Sequence, residues 1–187
     1  MNVIKSGKRL LLFLIDCSGS LDGAYISAIN ASMWEILELF QSISSNNSEN
    51  SFMTGAIVFS DQANWLGKNK LFALDDFQWE NLSAGKTSEF GKALELAIEV
   101  LDEDVLEQFG CTAELKPIIV YVGDGCPTDR YGESLRKVKE NSIFNRSVKL
   151  ALYTGAMIDR EMLISFTGDL DTLIPLNDIE SIKKFVV

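Results

Sequence analysis

The chain has 187 residues, 47% hydrophobic and 24% charged, with a net charge of −10 at neutral pH and no histidine. That length and balance suit one globular domain over residues 1–187, long enough to bury roughly 70% of its unfolded surface. The acidic excess argues against nucleic acid and against an anionic membrane surface, since a phosphate binder carries a basic stripe, and the lack of histidine removes the usual general base for a Ser or Cys nucleophile.

Lys5, Lys8 and Arg9 precede the apolar run LLLFLI, which stops at Asp16. The run is too short for a signal-peptide core or a membrane span and no small-residue cleavage site follows, so it reads as a strand over Arg9–Ile15, buried on both faces as in a parallel sheet. A helix is predicted over Gly23–Ser42, with Ile26, Ile29, Met33, Ile36, Leu37 and Phe40 inward. A polar loop over Ser44–Ser51 leads to a strand at Phe52–Phe59, followed by a short antiparallel edge at Ala63–Leu66 and an irregular aromatic-rich stretch over Leu71–Leu82. A second helix is expected over Ser88–Leu106, with Phe90, Leu94, Ala97, Ile98 and Leu101 inward. Pro117 opens the buried strand PIIVYV, followed by a helix over Tyr131–Ile143, a strand over Val148–Thr154, a short helix over Asp159–Phe166, a strand over Thr172–Ile174 and a closing helix from Ile179. Strands alternating with helices imply an α/β fold with right-handed crossovers and a mainly parallel sheet covered on both faces. Trp34, Trp65, Trp79 and the phenylalanines read as packing residues.

Three cysteines, Cys17, Cys111 and Cys126, form no CxxC pair, so neither a disulfide framework nor a zinc site is indicated and the cytoplasm is the expected location. The loop after the first strand carries more chemistry. In DCSGS, Asp16, Ser18 and Ser20 leave the carboxyl end of a strand on one tight turn, where open α/β sheets bind their ligands. One carboxylate and two hydroxyls are hard oxygen donors suited to Mg²⁺, or to Mn²⁺ or Ca²⁺. The alternative is an Asx or Ser turn in which Asp16 and Ser20 cap the helix from Gly23. Thr87 stands before the second helix and Asp124 directly after a buried strand. Taken singly, Thr87 or Ser88 reads as a helix cap and Asp124 as a turn former. Asp16 is expected on a surface loop, replaceable without loss of fold.

Together these segments resemble the von Willebrand factor A family, whose metal-ion-dependent adhesion site is written DxSxS, then a threonine, then an aspartate. Asp16, Ser18 and Ser20 match the first element, Thr87 the second and Asp124 the third, and the resemblance covers nearly the whole chain. The DCSGS loop, Asp76–Phe77 and DGCPTD look most like bacterial TerY-like proteins, which are associated with tellurite resistance and stress systems. The resemblance implies a non-enzymatic module that holds a divalent ion with these five residues and takes a carboxylate from a protein partner, with a protein kinase or phosphatase among the partners it suggests. Two positions depart from the pattern: Gly123 stands where the family usually has threonine, removing a hydroxyl from behind the site, and Lys86 stands where glycine is common.

Two other readings carry different chemistry. A phosphatase resembling the haloacid-dehalogenase superfamily would use Asp16 as nucleophile and Gly123, Asp124 and Asp129 as its acidic motif, yet Ser18 stands where a general acid is needed, and a serine supplies no proton at neutral pH. A nucleotide-binding module lacks both GxGxxG and GxxxxGK[ST].

Overall fold

The computed structural model describes residues 7–46, 51–112 and 114–187, so Lys5 and residues 47–50 of the expected polar loop lie outside the described residues. Strand β1 (Arg9–Asp16) lies in the interior of a seven-stranded sheet, between β2 (Phe52–Phe59) and β5 (Ile118–Gly123), parallel to both. Strands β6 (Val148–Tyr153) and β7 (Leu173–Pro175) extend the parallel set beyond β5. On the other edge, β3 (Ala63–Trp65) and β4 (Phe72–Ala73) both pair antiparallel with β2. The predicted antiparallel edge is therefore made of two short segments, the second inside the stretch expected to be irregular.

The period-2 alternation of β1 divides its side chains between two cores. Leu11, Phe13 and Ile15 join α1 (Ala24–Asn46) and α7 (Lys183–Val186) on one face. Leu10, Leu12 and Leu14 join α2 (Phe90–Ile98), α3 (Glu103–Gln108), α4 (Gly132–Glu140), α5 (Ser142–Arg146) and α6 (Arg160–Thr167) on the other. Phe13 is wholly buried against the edge of Phe40, ring centroids 6.3 Å apart, and emptying such a site costs about 3–5 kcal/mol. Among the described residues no helix is long and apolar enough to cross a membrane.

Two expected helices are each broken in two. The second ends at Ile98, and α3 restarts with the Asp102 carboxylate accepting from Val105 N at 3.1 Å. Val100 and Leu101, in the break, are both buried in the core. The helix expected over Tyr131–Ile143 breaks at Asn141, whose Oδ1 accepts from Ile143 N and Phe144 N and starts α5. Asn141 Nδ2 donates to Leu101 O at 2.7 Å, pinning the two breaks together. The closing helix begins as a 3-10 turn over Ile179–Ile182. Trp34 departs from the packing role expected of it: it is 52% exposed on α1.

Candidate metal centre

Parallel pairing sets the site. Asp16 is paired with Phe59 at the end of β2, and Ile15 with Val122 near the end of β5, so the loops leaving these three strands converge. Asp16 is the last residue of an interior strand and is fully buried, not on a surface loop as expected. Its Oδ1 accepts from Ser18 N at 2.8 Å, the Asx turn foreseen as an alternative. Its Oδ2 accepts from Ser88 Oγ at 3.0 Å and from the Tyr121 hydroxyl at 3.3 Å.

Ser18 Oγ lies 3.1 Å from Ser20 Oγ, and Ser20 Oγ donates to Asp124 Oδ2 at 2.6 Å. Cys126 N holds the other oxygen of Asp124 at 2.9 Å. Four of the five expected residues thus share one small region. Thr87 is brought alongside by its backbone: Gly19 N donates to Lys86 O (3.2 Å) and Gly85 N to Cys17 O (2.6 Å). A Cβ on Gly19 would lie 3.0 Å from Lys86 O, so a larger residue would push the two loops a few tenths of an ångström apart. The Thr87 side chain is exposed at the rim and donates to Asp61 Oδ1 at 3.0 Å, an oxygen that also accepts from Thr87 N and Lys86 N. Neither Thr87 nor Ser88 caps α2: Ser88 is spent on Asp16, and Gly91 N in the first turn donates to Asp129 Oδ2 at 2.7 Å.

No basic side chain forms an ion pair with Asp16 or Asp124 among the described residues. Burial pushes the Asp16 carboxyl up to about 6, the neighbouring Asp124 charge adding to it and the Ser18 and Ser88 hydrogen bonds working against it. Burial likewise raises the Tyr121 phenol well above its ordinary value, so it remains a donor. Asp61 is lowered by the hydrogen bonds from Thr87. Two uncompensated carboxylates with hydroxyl oxygens beside them fit a hard divalent cation. The nearby thiols fit no soft one: Cys17 Sγ is directed at Phe59 O, and Cys126 Sγ at Asp124 O and Met157 O. Among the described residues no three Asp, Glu, Cys or His side chains gather into a metal cluster, so carboxylates alone make no cation site here.

The sequence matches no family model and no curated protein. Solved structures do match in shape. A von Willebrand factor type A protein from Catenulispora acidiphila superposes with a TM-score of 0.65 at 13% identity, covering 95% of this chain and 41% of that one. The fold is that of a von Willebrand factor A domain. A manganese-loaded TRAP protein of Plasmodium vivax is similar at TM-score 0.62 and 15% identity, covering 98% of this chain and 75% of its own. Proximal thread matrix protein 1 from the mussel byssus, solved with zinc in its MIDAS motif, gives 0.61 and 13%, covering 98% and 46%. The chain spans less than half the length of the first structures it matches.

Within this von Willebrand factor A fold, three residues near the site escaped sequence reasoning. Ser88 was read as a helix cap, not as a partner of Asp16. Asp61, two residues beyond β2, carried the one available signal, an acid just past a buried strand. Tyr121 lay within the buried strand PIIVYV, where nothing marked it apart from packing residues. Gly123 also has a local cause: a Cβ there would lie 2.6 Å from Asp16 Cβ and 3.0 Å from the Tyr121 hydroxyl, and its φ of +154° sits at the limit of what L side chains adopt.

Proposed function

We propose that this chain is a metal-dependent protein-interaction module, with Ser18, Ser20 and Thr87 binding a hard divalent cation and Asp16 and Asp124 holding it directly or through water. The observation that carries the reading is the pair of buried carboxylates, without a basic partner among the described residues, joined to the serine hydroxyls by Ser20. When bound, the cation supplies a positive centre that attracts a carboxylate from a partner protein. The chain's own residues prepare for that. Ser20 donates to Asp124 and Thr87 donates to Asp61, so each hydroxyl keeps a lone pair for a cation, the other lone pair of Ser20 accepting from Ser18. Asp16 stays at the back, held by three donors. Mg²⁺ is the ion we favour, with Mn²⁺ or Ca²⁺ as substitutes; the manganese and zinc in similar structures support a divalent site.

The same geometry speaks against a phosphatase. A nucleophilic carboxylate must reach phosphorus, whereas Asp16 has no exposed surface and both its oxygens are engaged. Asp129 is occupied at the start of α2. The finer reading, a bacterial stress or tellurite-linked system with kinase or phosphatase partners in the cytoplasm, rests on DCSGS, Asp76–Phe77 and DGCPTD, and the free thiols of Cys17, Cys111 and Cys126 support a reducing compartment.

Titration calorimetry with Mg²⁺ and Mn²⁺, paired with capture of partners from the native cell in Mg²⁺ and in chelator, tests the proposal. Saturable one-to-one metal binding, and partners lost in chelator, are expected. Absence of metal binding, or hydrolysis of a generic phosphoester, would overturn it.

A further inference from the structure

We infer that Tyr121 is a positioning residue of the metal centre, its hydroxyl standing in for the side chain that Gly123 lacks and tying the Asp16 carboxylate to the loop that carries Asp124. The inference rests on the metal-binding reading above. Residues 121 and 123 point to the same face of β5. That face also receives Leu14, which is paired with Tyr121, and Asp16, one step beyond the Ile15–Val122 pair. Both positions therefore compete for the space beneath Asp16. A Cβ at 123 would clash with Asp16 Cβ at 2.6 Å and crowd the phenol oxygen at 3.0 Å, so a side chain there would displace Asp16 and press on the tyrosine hydroxyl.

The hydroxyl has two partners. Gly125 N donates to it at 3.2 Å, and it donates to Asp16 Oδ2 at 3.3 Å. One oxygen thus links the end of β1 to the turn that follows Asp124. The ring cannot swing away: it packs on Phe59, Phe90 and Phe166 with centroids 5.5–6.2 Å apart. With Ser88 on the same carboxylate oxygen, Asp16 is presented in one orientation. Groups that orient metal ligands in this way are worth about 10–100-fold in affinity.

Tyr121→Phe keeps the ring and removes the hydroxyl. Mn²⁺ titration should show about 10–100-fold weaker binding, and the electron paramagnetic resonance spectrum of the bound ion should change as its ligands loosen. Gly123→Ala, which pushes a methyl group between Asp16 and the phenol, should weaken binding in the same way. Denaturation in chelator serves as the control: a purely structural Tyr121 would lower stability while leaving Mn²⁺ affinity and spectrum at wild-type values, and that result overturns the inference. If the wild-type chain binds no Mn²⁺, the underlying metal reading falls as well; if it binds and both variants bind equally, only the role of Tyr121 falls.

Discussion

Ser20 Oγ donates to Asp124 Oδ2 at 2.6 Å across 104 residues of sequence. This contact ties the loop after β1 to the loop after β5 and engages the Ser20 proton, leaving a hydroxyl lone pair for a cation. Ser20→Ala should therefore weaken divalent-metal binding by tenfold or more while costing only about 1 kcal/mol of stability in chelator, the usual net value of a single hydrogen bond. Calorimetry and urea denaturation separate the two effects.

Asp16 should respond differently to two substitutions. Asp16→Ala strips the acceptor from Ser18 N, Ser88 Oγ and the Tyr121 hydroxyl at once, and buried donors without partners cost about 1–3 kcal/mol each when fully orphaned. A loss of about 2–4 kcal/mol in chelator is expected. Asp16→Asn retains one acceptor oxygen and removes a buried charge, so its stability in chelator at pH 7 should exceed that of the alanine variant by a clear margin. Both should lose metal binding. Equal stabilities for the two variants would contradict this account of the carboxylate.

The raised Asp16 carboxyl gives a pH signature. Between its ordinary value of 3.8 and about 6 the folded chain keeps a proton that the unfolded chain releases, so its contribution makes stability fall as pH rises through that window and levels off above it. Asp129 is shifted the same way by its burial, so the Asp16 share is the difference between wild type and Asp16→Asn. Urea denaturation in chelator from pH 4 to 7 should show wild type losing more stability than the variant. Saturating Mn²⁺ should cancel that difference, because the cation competes with the proton.

Thr87 and Asp61 should act as one unit at the rim. Thr87→Ala removes a proposed ligand, and Asp61→Ala removes the acceptor that aims it. Each should reduce partner capture in Mg²⁺, and the double variant should fall little further than Thr87→Ala alone, the non-additivity of a shared contact. Additive losses would mean that Asp61 meets the partner independently.

Asp129 serves as a control for the phosphatase alternative. Its Oδ2 accepts from Gly91 N at the amino end of α2, in place of a capping side chain. Asp129→Asn should lower stability by about 0.5–2 kcal/mol and leave metal affinity unchanged. A loss of metal binding would put Asp129 in the site.

Much of this was readable in the chain because interior strands announce themselves. β1 and β5 are continuous apolar runs and β2 is interrupted only by Thr54 and Gly55, and the loops that follow them in sequence are the ones their pairing gathers in space. The helix breaks at Asp102 and Asn141 were not readable, since apolar periodicity continues across both and the cap geometry becomes decisive only when Val100, Leu101, Ile143 and Phe144 find the core. The proposed ligand positions form a motif in the sequence, but the residues that support them do not. Ser88 and Tyr121 act on Asp16 from 72 and 105 residues away, a relation that local sequence does not encode. Gly123 looked like a missing hydroxyl, and the structure has one arriving from the same strand two residues earlier.

The placement of Asp16 on an interior strand also governs when the site can exist. Its partners arrive from after β2, before α2 and along β5, so nothing resembling the donor set forms until the long-range parallel pairings are complete. Such contacts are the slow part of folding, because distant chain segments must be closed before they yield any stabilisation. A cation would thus meet a finished domain rather than nucleate one. Its stabilisation would fall on the native state alone, growing with the logarithm of free metal, and it would appear as slower unfolding with an unchanged folding rate. The ion would act as a lock on the completed chain, and its release would start unfolding at the strand ends.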